Sequence, residues 1–314
     1  MSKEKFSRSA AITSQVIITV WLAVQLLAGI FQKSLVRYMV NYSDEIPKVN
    51  SWSVIVLCLG GLCMTAANFM ICQKKNKKAP IMISTVTTAL LPIVVQIANA
   101  AQFKRHTSAI EEYQALSIYS VYVQTLSYLL YVGAVVTIAA AAVYAFGDVE
   151  TFPRKASIAS QVLLIVWTAM QLFSSIFQRH VLKIFIADEQ TIDGVGKINS
   201  YAAAALCFGG LFILAANFMI CQKKGRFAPL LVTSITTALL PMAVGRIVRV
   251  QNILAGFDST NAVYVVGSYN TIVNFLSYIL YVGAVLAIAA SAVYLFSKEE
   301  SVVTAESNNV HDFE

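Results

Sequence analysis

The side chains in this sequence that could bind or move something lie inside long apolar runs, and they come in matched pairs. Gln25 and Gln171, Asn68 and Asn217, and Thr88 and Thr237 each fall in an uncharged stretch. An amide or hydroxyl placed there must find a partner or lose several kcal/mol. The first pair belongs to a stripe, Ser14, Trp21, Gln25, Ala28 and Gln32, which returns as Ser160, Trp167, Gln171, Ser174 and Gln178. Its steps of seven, four, three and four keep the residues on one helical face. That face should turn toward protein or water, either lining a solute pathway or joining helices.

Asn68 and Asn217 stand about 6 Å from the end of their runs, where an amide can bridge helices or touch a ligand. Pro92 follows Thr88 by four residues, as Pro241 follows Thr237. Proline takes away the hydrogen bond to the carbonyl four residues back, so each threonine carbonyl is freed in mid-run and a kink is expected. Interrupted helices at matching positions point to a transport site, although kinks also occur in helices that only pack. These eight residues, Gln25, Gln171, Asn68, Asn217, Thr88, Thr237, Pro92 and Pro241, are the solute-pathway candidates.

Small residues give a second set. Gly133, Thr137, Ala141 and Ala145 recur at four-residue steps, with Gly283, Ala287 and Ser291 as counterparts, and Gly61 and Gly210 each follow another glycine. Such faces let backbones approach closely, so Gly133, Gly283, Gly61 and Gly210 are expected at helix crossings, the span 4 face between the two halves of the chain. Tyr119, Tyr122, Tyr128 and Tyr131 are expected in an interfacial aromatic belt.

Other chemistries have little to run on. The apolar runs contain no carboxylate and no histidine, which leaves a proton relay or charged ion site without its usual groups. His106, His180 and His311 lie at unrelated spacings, and the five cysteines, at 58, 63, 72, 207 and 221, all fall in one run or its copy. Neither pattern suggests a metal site or a disulfide framework. No phosphate-cradling glycine loop or Ser/His/Asp arrangement is recognisable, so the expectation is a protein that is not an enzyme and uses no cofactor.

The elements that must hold these residues follow from composition. Of 314 residues, 58% are hydrophobic and 12% charged, against roughly 25% charged in soluble domains. With a mean hydropathy of +0.69, the chain reads as all-α, a polytopic membrane bundle. Eight uncharged runs are long enough to cross a hydrocarbon core of about 30 Å: Ala10–Phe31, Ser51–Cys72, Ala79–Gln102, Leu116–Phe146, Ala156–Phe177, Ser200–Cys221, Ala228–Gly245 and Val263–Phe296. The first is too long for a cleaved signal.

The runs are duplicated. AANFMICQKK occurs at Ala66–Lys75 and again at Ala215–Lys224, TTALLP at Thr87–Pro92 and Thr236–Pro241, and LSYLLYVGAV at Leu126–Val135 is matched by LSYILYVGAV at Leu276–Val285. Residues 1–150 and 151–300 are therefore read as tandem four-span repeats, parallel because four is even, with 301–314 as a disordered tail. Lys74, Lys75, Lys77 and Lys78 crowd one short connection, and Lys223, Lys224 and Arg226 its counterpart. The positive-inside rule puts these loops and both termini in the cytoplasm.

The net charge of +7 then describes a basic collar facing anionic lipid, not a nucleic-acid surface. Asn41-Tyr42-Ser43 forms a glycosylation sequon on the predicted outer side. Two functions fit. One is passage or binding of a small uncharged or weakly charged solute at the interface of the repeats. The other is a non-catalytic scaffold or accessory subunit that packs against partner membrane proteins. The partners implied are the lipid bilayer and, according to the reading, a small solute or another membrane protein.

Overall fold

A chain solvated by hydrocarbon must satisfy its backbone within each segment, and the apolar runs do so as helices. The computed structural model describes residues 3–31, 46–106, 110–177, 189–254 and 277–297, with single positions at 34, 180 and 183. The side chains of 46–51, 96, 99–106, 110–126, 174–175, 189–203 and 245–254 lie outside that description. Eight helices occur among the described residues: α1 Lys3–Ile30, α2 Ile46–Cys72, α3 Ala79–His106 and α4 Ile110–Phe146, then α5 Thr151–Ile176, α6 Glu189–Cys221, α7 Phe227–Leu254 and α8 Tyr278–Phe296.

Seven of them are long and apolar enough to cross a membrane, while the apolar part of α3 is shorter, Ala79–Val95. Their outward faces carry large apolar side chains: Val16, Val20 and Leu27 on α1, Leu62 and Phe69 on α2, Phe208, Leu211 and Phe218 on α6, and Leu231 on α7. Exposed apolar surface of this extent marks contact with lipid. The protein has the character of a multi-pass integral membrane protein.

In each half the first helix packs on the second and fourth, and the second packs on the third and fourth. One end of the bundle gathers several chain segments. There Lys3 Nζ donates to the Gly147 carbonyl and pairs with Asp148, and Lys74 pairs with Glu4. At the same end Arg226 lies over the Tyr294 ring, 5.6 Å from its centroid. The start of α1, the α2–α3 turn, the α4–α5 linker, the α6–α7 turn and the end of α8 therefore share this basal end. Its described residues include twelve Lys and Arg against Glu4, Asp148 and Glu150.

Both short turns stop their helices in the same way. Lys75 N–H donates to Met70 O and Lys74 N–H to Ile71 O, and in the second half Lys224 N–H donates to Met219 O and Lys223 N–H to Ile220 O. This double bond pattern is a Schellman stop, which places the residue after the cap in the left-handed region. Lysine occupies that place twice, with φ of 52° at both Lys74 and Lys223.

The halves meet mainly through α4 and α8, with α4 also touching α7 and α8 touching α3. This seam is apolar, built from Val135 and Ile138 against Val285 and Ile288, and from Ala139, Ala142 and Val143 against Ala289, Ala292 and Val293. At its basal end Phe6 stacks on Phe296 with ring centroids 3.5 Å apart, and Phe146 stacks on Phe152 at 4.0 Å. Each stack joins the start of one half to the end of the other.

The expected meeting of halves through Gly133 and Gly283 is corrected by this seam. A Cβ built on Gly133 would meet Ile18 of α1, and one on Gly283 would meet Leu164 of α5, so both glycines face their own half. The glycine pairs of α2 and α6 do the same, Gly60 against Leu91, Gly61 against Trp21, Gly209 against Leu240 and Gly210 against Trp167. The physical reason is size. The rings of Trp21 and Trp167, fully buried, need Gly61 and Gly210 beside them, and the buried side chains of Ile18 and Leu164 press in the same way on Gly133 and Gly283.

Candidate functional site: buried polar layers in each half

The buried polar groups divide into a bonded layer and an unbonded one. In the first half Asn68 Nδ2 donates to Ser14 Oγ at 3.2 Å, and Ser14 Oγ donates to the Gly133 carbonyl at 2.7 Å. Thr137 joins from α4, its hydroxyl within hydrogen-bond distance of both Ser14 Oγ and Gly133 O. In the second half Asn217 Nδ2 donates to Ser160 Oγ at 3.0 Å, and Ser160 Oγ to the Gly283 carbonyl at 2.7 Å. Each knot ties the first, second and fourth helices of its half where water is absent, which is the setting in which such bonds hold helices together. Gly133 and Gly283 thus serve twice, giving close approach and an accessible carbonyl.

The knots differ in their third hydroxyl. Thr137 supplies it in the first half, and its counterpart in the second is Ala287. There Ser157 takes over, with its hydroxyl within reach of the Asn217 carbonyl at 3.0 Å and of Asn217 Oδ1 at 3.2 Å. Ala11 stands at the corresponding place in α1, and Asn68 Oδ1 is buried without a partner.

The unbonded layer lies about two to three turns further from the basal end along α1 and α5. Trp21 Nε1 and Gln25 Nε2 are buried with no partner, and so are Trp167 Nε1 and Gln171 Nε2. Trp and Gln stand four residues apart, so the two residues share one helix face, one turn from each other. Gln25 retains 2% of its exposure and Gln171 5%, which leaves little room for solvent to satisfy either amide. The aromatic rings themselves sit in apolar company, Trp21 with Leu57, Leu91 and Leu130, and Trp167 with Leu206, Leu240 and Leu280.

Thr88 and Thr237 add unpartnered, buried hydroxyls on α3 and α7. One turn nearer the basal end, Ser84 and Thr233 donate back to the carbonyls of Pro80 and Pro229 at 2.8 Å and 2.7 Å. Thr88 and Thr237 make no such bond, although Pro92 and Pro241 leave their own carbonyls without the usual helical donor. Both helices run unbroken through the proline.

Of the eight pathway candidates, the two asparagines lie in the knots and the two glutamines and two threonines in the unbonded layer. The asparagine knots lie inside one half each, whereas the predicted pathway ran between halves. Between the halves the α4–α8 contact is filled by branched and small apolar side chains. Trp21 and Trp167 were placed on the stripes by spacing, but their unpartnered indoles required coordinates to find.

Gln32, Gln178, the Asn41 sequon, Lys298 and residues 301–314 lie outside the described residues, as do the side chains of Ser174, Tyr119 and Tyr122. Tyr128 and Tyr131 are described and half-buried. Among the described residues no three His, Cys, Asp or Glu side chains come together. Comparison with protein families, characterised proteins and solved structures finds no match, so geometry alone carries the functional reading.

Proposed function

We propose that this protein is a non-catalytic, eight-span membrane protein made of two fused, parallel four-helix repeats, and that each repeat binds a small uncharged solute in its unbonded polar layer. The observation that carries the reading is the duplicated pair of donors, Trp21 Nε1 with Gln25 Nε2 and Trp167 Nε1 with Gln171 Nε2, buried without acceptors while the neighbouring Asn–Ser–Gly groups are bonded. Buried donors left open cost about 1–3 kcal/mol each, and an acceptor-bearing solute would recover that cost. Thr88 and Thr237, with the carbonyls freed by Pro92 and Pro241, would offer further contacts in the same helices. No charged side chain occurs in the spans, which favours a neutral ligand.

The test sets the parent against a Gln25→Leu, Gln171→Leu variant in detergent, with thermal melting in the presence of small amides, polyols and neutral sugars. A solute that raises the parent's melting temperature and leaves the variant unmoved supports the reading. A parent that no solute stabilises, together with a variant of lowered stability, ends it.

A scaffold that packs with other membrane proteins is the second reading. It is favoured by the knots, which spend Ser14, Asn68, Ser160 and Asn217 on internal bonds, and by a seam with no polar path through its basal half. Sidedness belongs to the same proposal. The basal end carries the dense lysines, and the positive-inside rule puts it and both termini in the cytoplasm. In a cysteine-free background, cysteines at Lys77 and Lys224 should be shielded from an impermeant thiol reagent added outside, and cysteines at Asp44 and Asp258 should react. Labelling of the first pair alone would invert the topology.

A further inference from the structure

The lipid-facing stripes of α1 and α5 end alike. On α1, Ile12, Val16 and Val20 are exposed at four-residue steps, and one step earlier the same face carries exposed Arg8. On α5, Ile158, Val162 and Val166 form the matching stripe, with exposed Arg154 one step ahead of it. The other side of α1 buries Ser7, Ala11, Ser14 and Ile18 against its own half, so the stripe faces outward. From Arg8 to Val20 the helix rises about 18 Å, enough to cross the roughly 15 Å of one hydrocarbon leaflet.

The carboxylates of the basal end do not neutralise these arginines. Glu4 and Glu150 stand four positions ahead of them, but Glu4 pairs with Lys74 at 3.5 Å, and Asp148 pairs with Lys3 at 3.6 Å. Neither guanidinium makes an ion pair among the described residues. An arginine at the end of an apolar stripe lays its stem along hydrocarbon and carries its charge to the level of the headgroups. There its planar fork matches two oxygens of a phosphate. The ligand that fits both parts of this surface joins a phosphate to long acyl chains. The surrounding lysines, in a basal end with twelve Lys and Arg against three carboxylates, favour a headgroup with net negative charge.

We propose that Arg8 and Arg154 each anchor one anionic phospholipid of the basal leaflet, with the guanidinium on the phosphate and an acyl chain along the isoleucine–valine stripe. The two sites are equivalent, one in each half. They lie on the outer surface of the bundle and do not depend on the Trp–Gln layers within it. Two anchored lipids differ from a diffuse basic collar, which would hold anionic lipid at no fixed place.

Native mass spectrometry of the full-length protein, titrated in detergent with dioleoyl phosphatidylglycerol, counts the lipids that stay bound. Dioleoyl phosphatidylcholine supplies the same chains without net charge, and inorganic phosphate supplies the anion without chains. The parent should hold two molecules of phosphatidylglycerol in preference to phosphatidylcholine, and phosphate should not displace them. Arg8→Gln and Arg154→Gln should each lose one of the two, its dissociation constant rising about fivefold. The double variant should bind both lipids alike, and melting without lipid confirms that each variant is folded. Lys77→Gln with Lys78→Gln removes as much charge from the same end and should leave both lipids in place. Gln25→Leu with Gln171→Leu should leave them too, which separates failure of these sites from failure of the layers inside each half. The proposal is overturned by a parent that takes the two lipids alike, by displacement with phosphate, by selectivity that survives both arginine substitutions, or by an equal loss in the lysine variant.

Discussion

At the scale of residues, two nearly identical knots differ by one hydroxyl, and the difference has a sign. Ser157 reaches Asn217 Oδ1, whereas Ala11 leaves Asn68 Oδ1 buried and open. Placing serine at position 11 would supply the missing donor at a fully buried site where the chain already tolerates serine in the other half. Ala11→Ser is expected to stabilise the protein by about 1 kcal/mol, and Ser157→Ala to destabilise it by a similar amount. Paired thermal melts check both, and shifts of the same sign would show that the asparagine amides are satisfied some other way. The asparagines and serines were visible in the sequence as polar residues in apolar runs. Their pairing was not, because Ser14 and Asn68 are 54 positions apart and only the packing of α1 on α2 joins them.

At the scale of helices, the glycines set how closely the axes approach, and the neighbour's flexibility sets the cost of filling them. A Cβ on Gly133 would lie 2.8 Å from Ile18 Cγ1, an atom near the backbone of a fully buried, branched side chain that cannot swing away. On Gly60 it would meet Leu91 Cδ1 at 2.8 Å, a terminal methyl free to rotate, and on Gly283 it would lie 3.3 Å from Leu164 Cγ. Gly133→Ala should therefore lose about 1–3 kcal/mol, with Gly283→Ala and Gly60→Ala losing less. A series of detergent melts in which Gly60→Ala proves the most damaging would contradict this order. The existence of the helices followed from uncharged runs of spanning length, since hydrocarbon leaves a backbone few other choices. Their bounds did not, for α2 begins at Ile46 and α6 at Glu189, both ahead of the apolar runs.

For the whole molecule, the reciprocal stacks of Phe6 on Phe296 and Phe152 on Phe146 clasp the basal end of the seam. An aromatic pair contributes about 0.5–1.5 kcal/mol beyond its buried area. Phe6→Ala and Phe152→Ala should each lower the melting temperature, and the double variant should approach the sum because the stacks share no residue. If both single variants melt with the parent, the halves are held by the α4–α8 contact alone. The seam itself is apolar through Val135, Ile138, Val285 and Ile288. Exchange of Val135 and Val285 for serine should disturb the seam and lower the melting temperature, because each hydroxyl would be buried among Ile138 and Ile288.

The sequence alone determined that the chain is helical, apolar and charge-free within its runs, and which residues recur in both halves. Those properties are local. Each membrane helix bonds its own backbone, so length and composition suffice to place it. Which face meets which helix is not local. Gly133 and Val135 are two residues apart, yet one turns inward to Ile18 and the other packs with Val285 and Ile288 of the opposite half. Spacing singled out the small-residue face of α4 for contact and gave it the opposite half, not α1, as partner. Only tertiary packing could assign the partner, because in lipid the choice between apolar faces is made by shape and by where a buried hydroxyl finds its carbonyl, not by hydrophobicity.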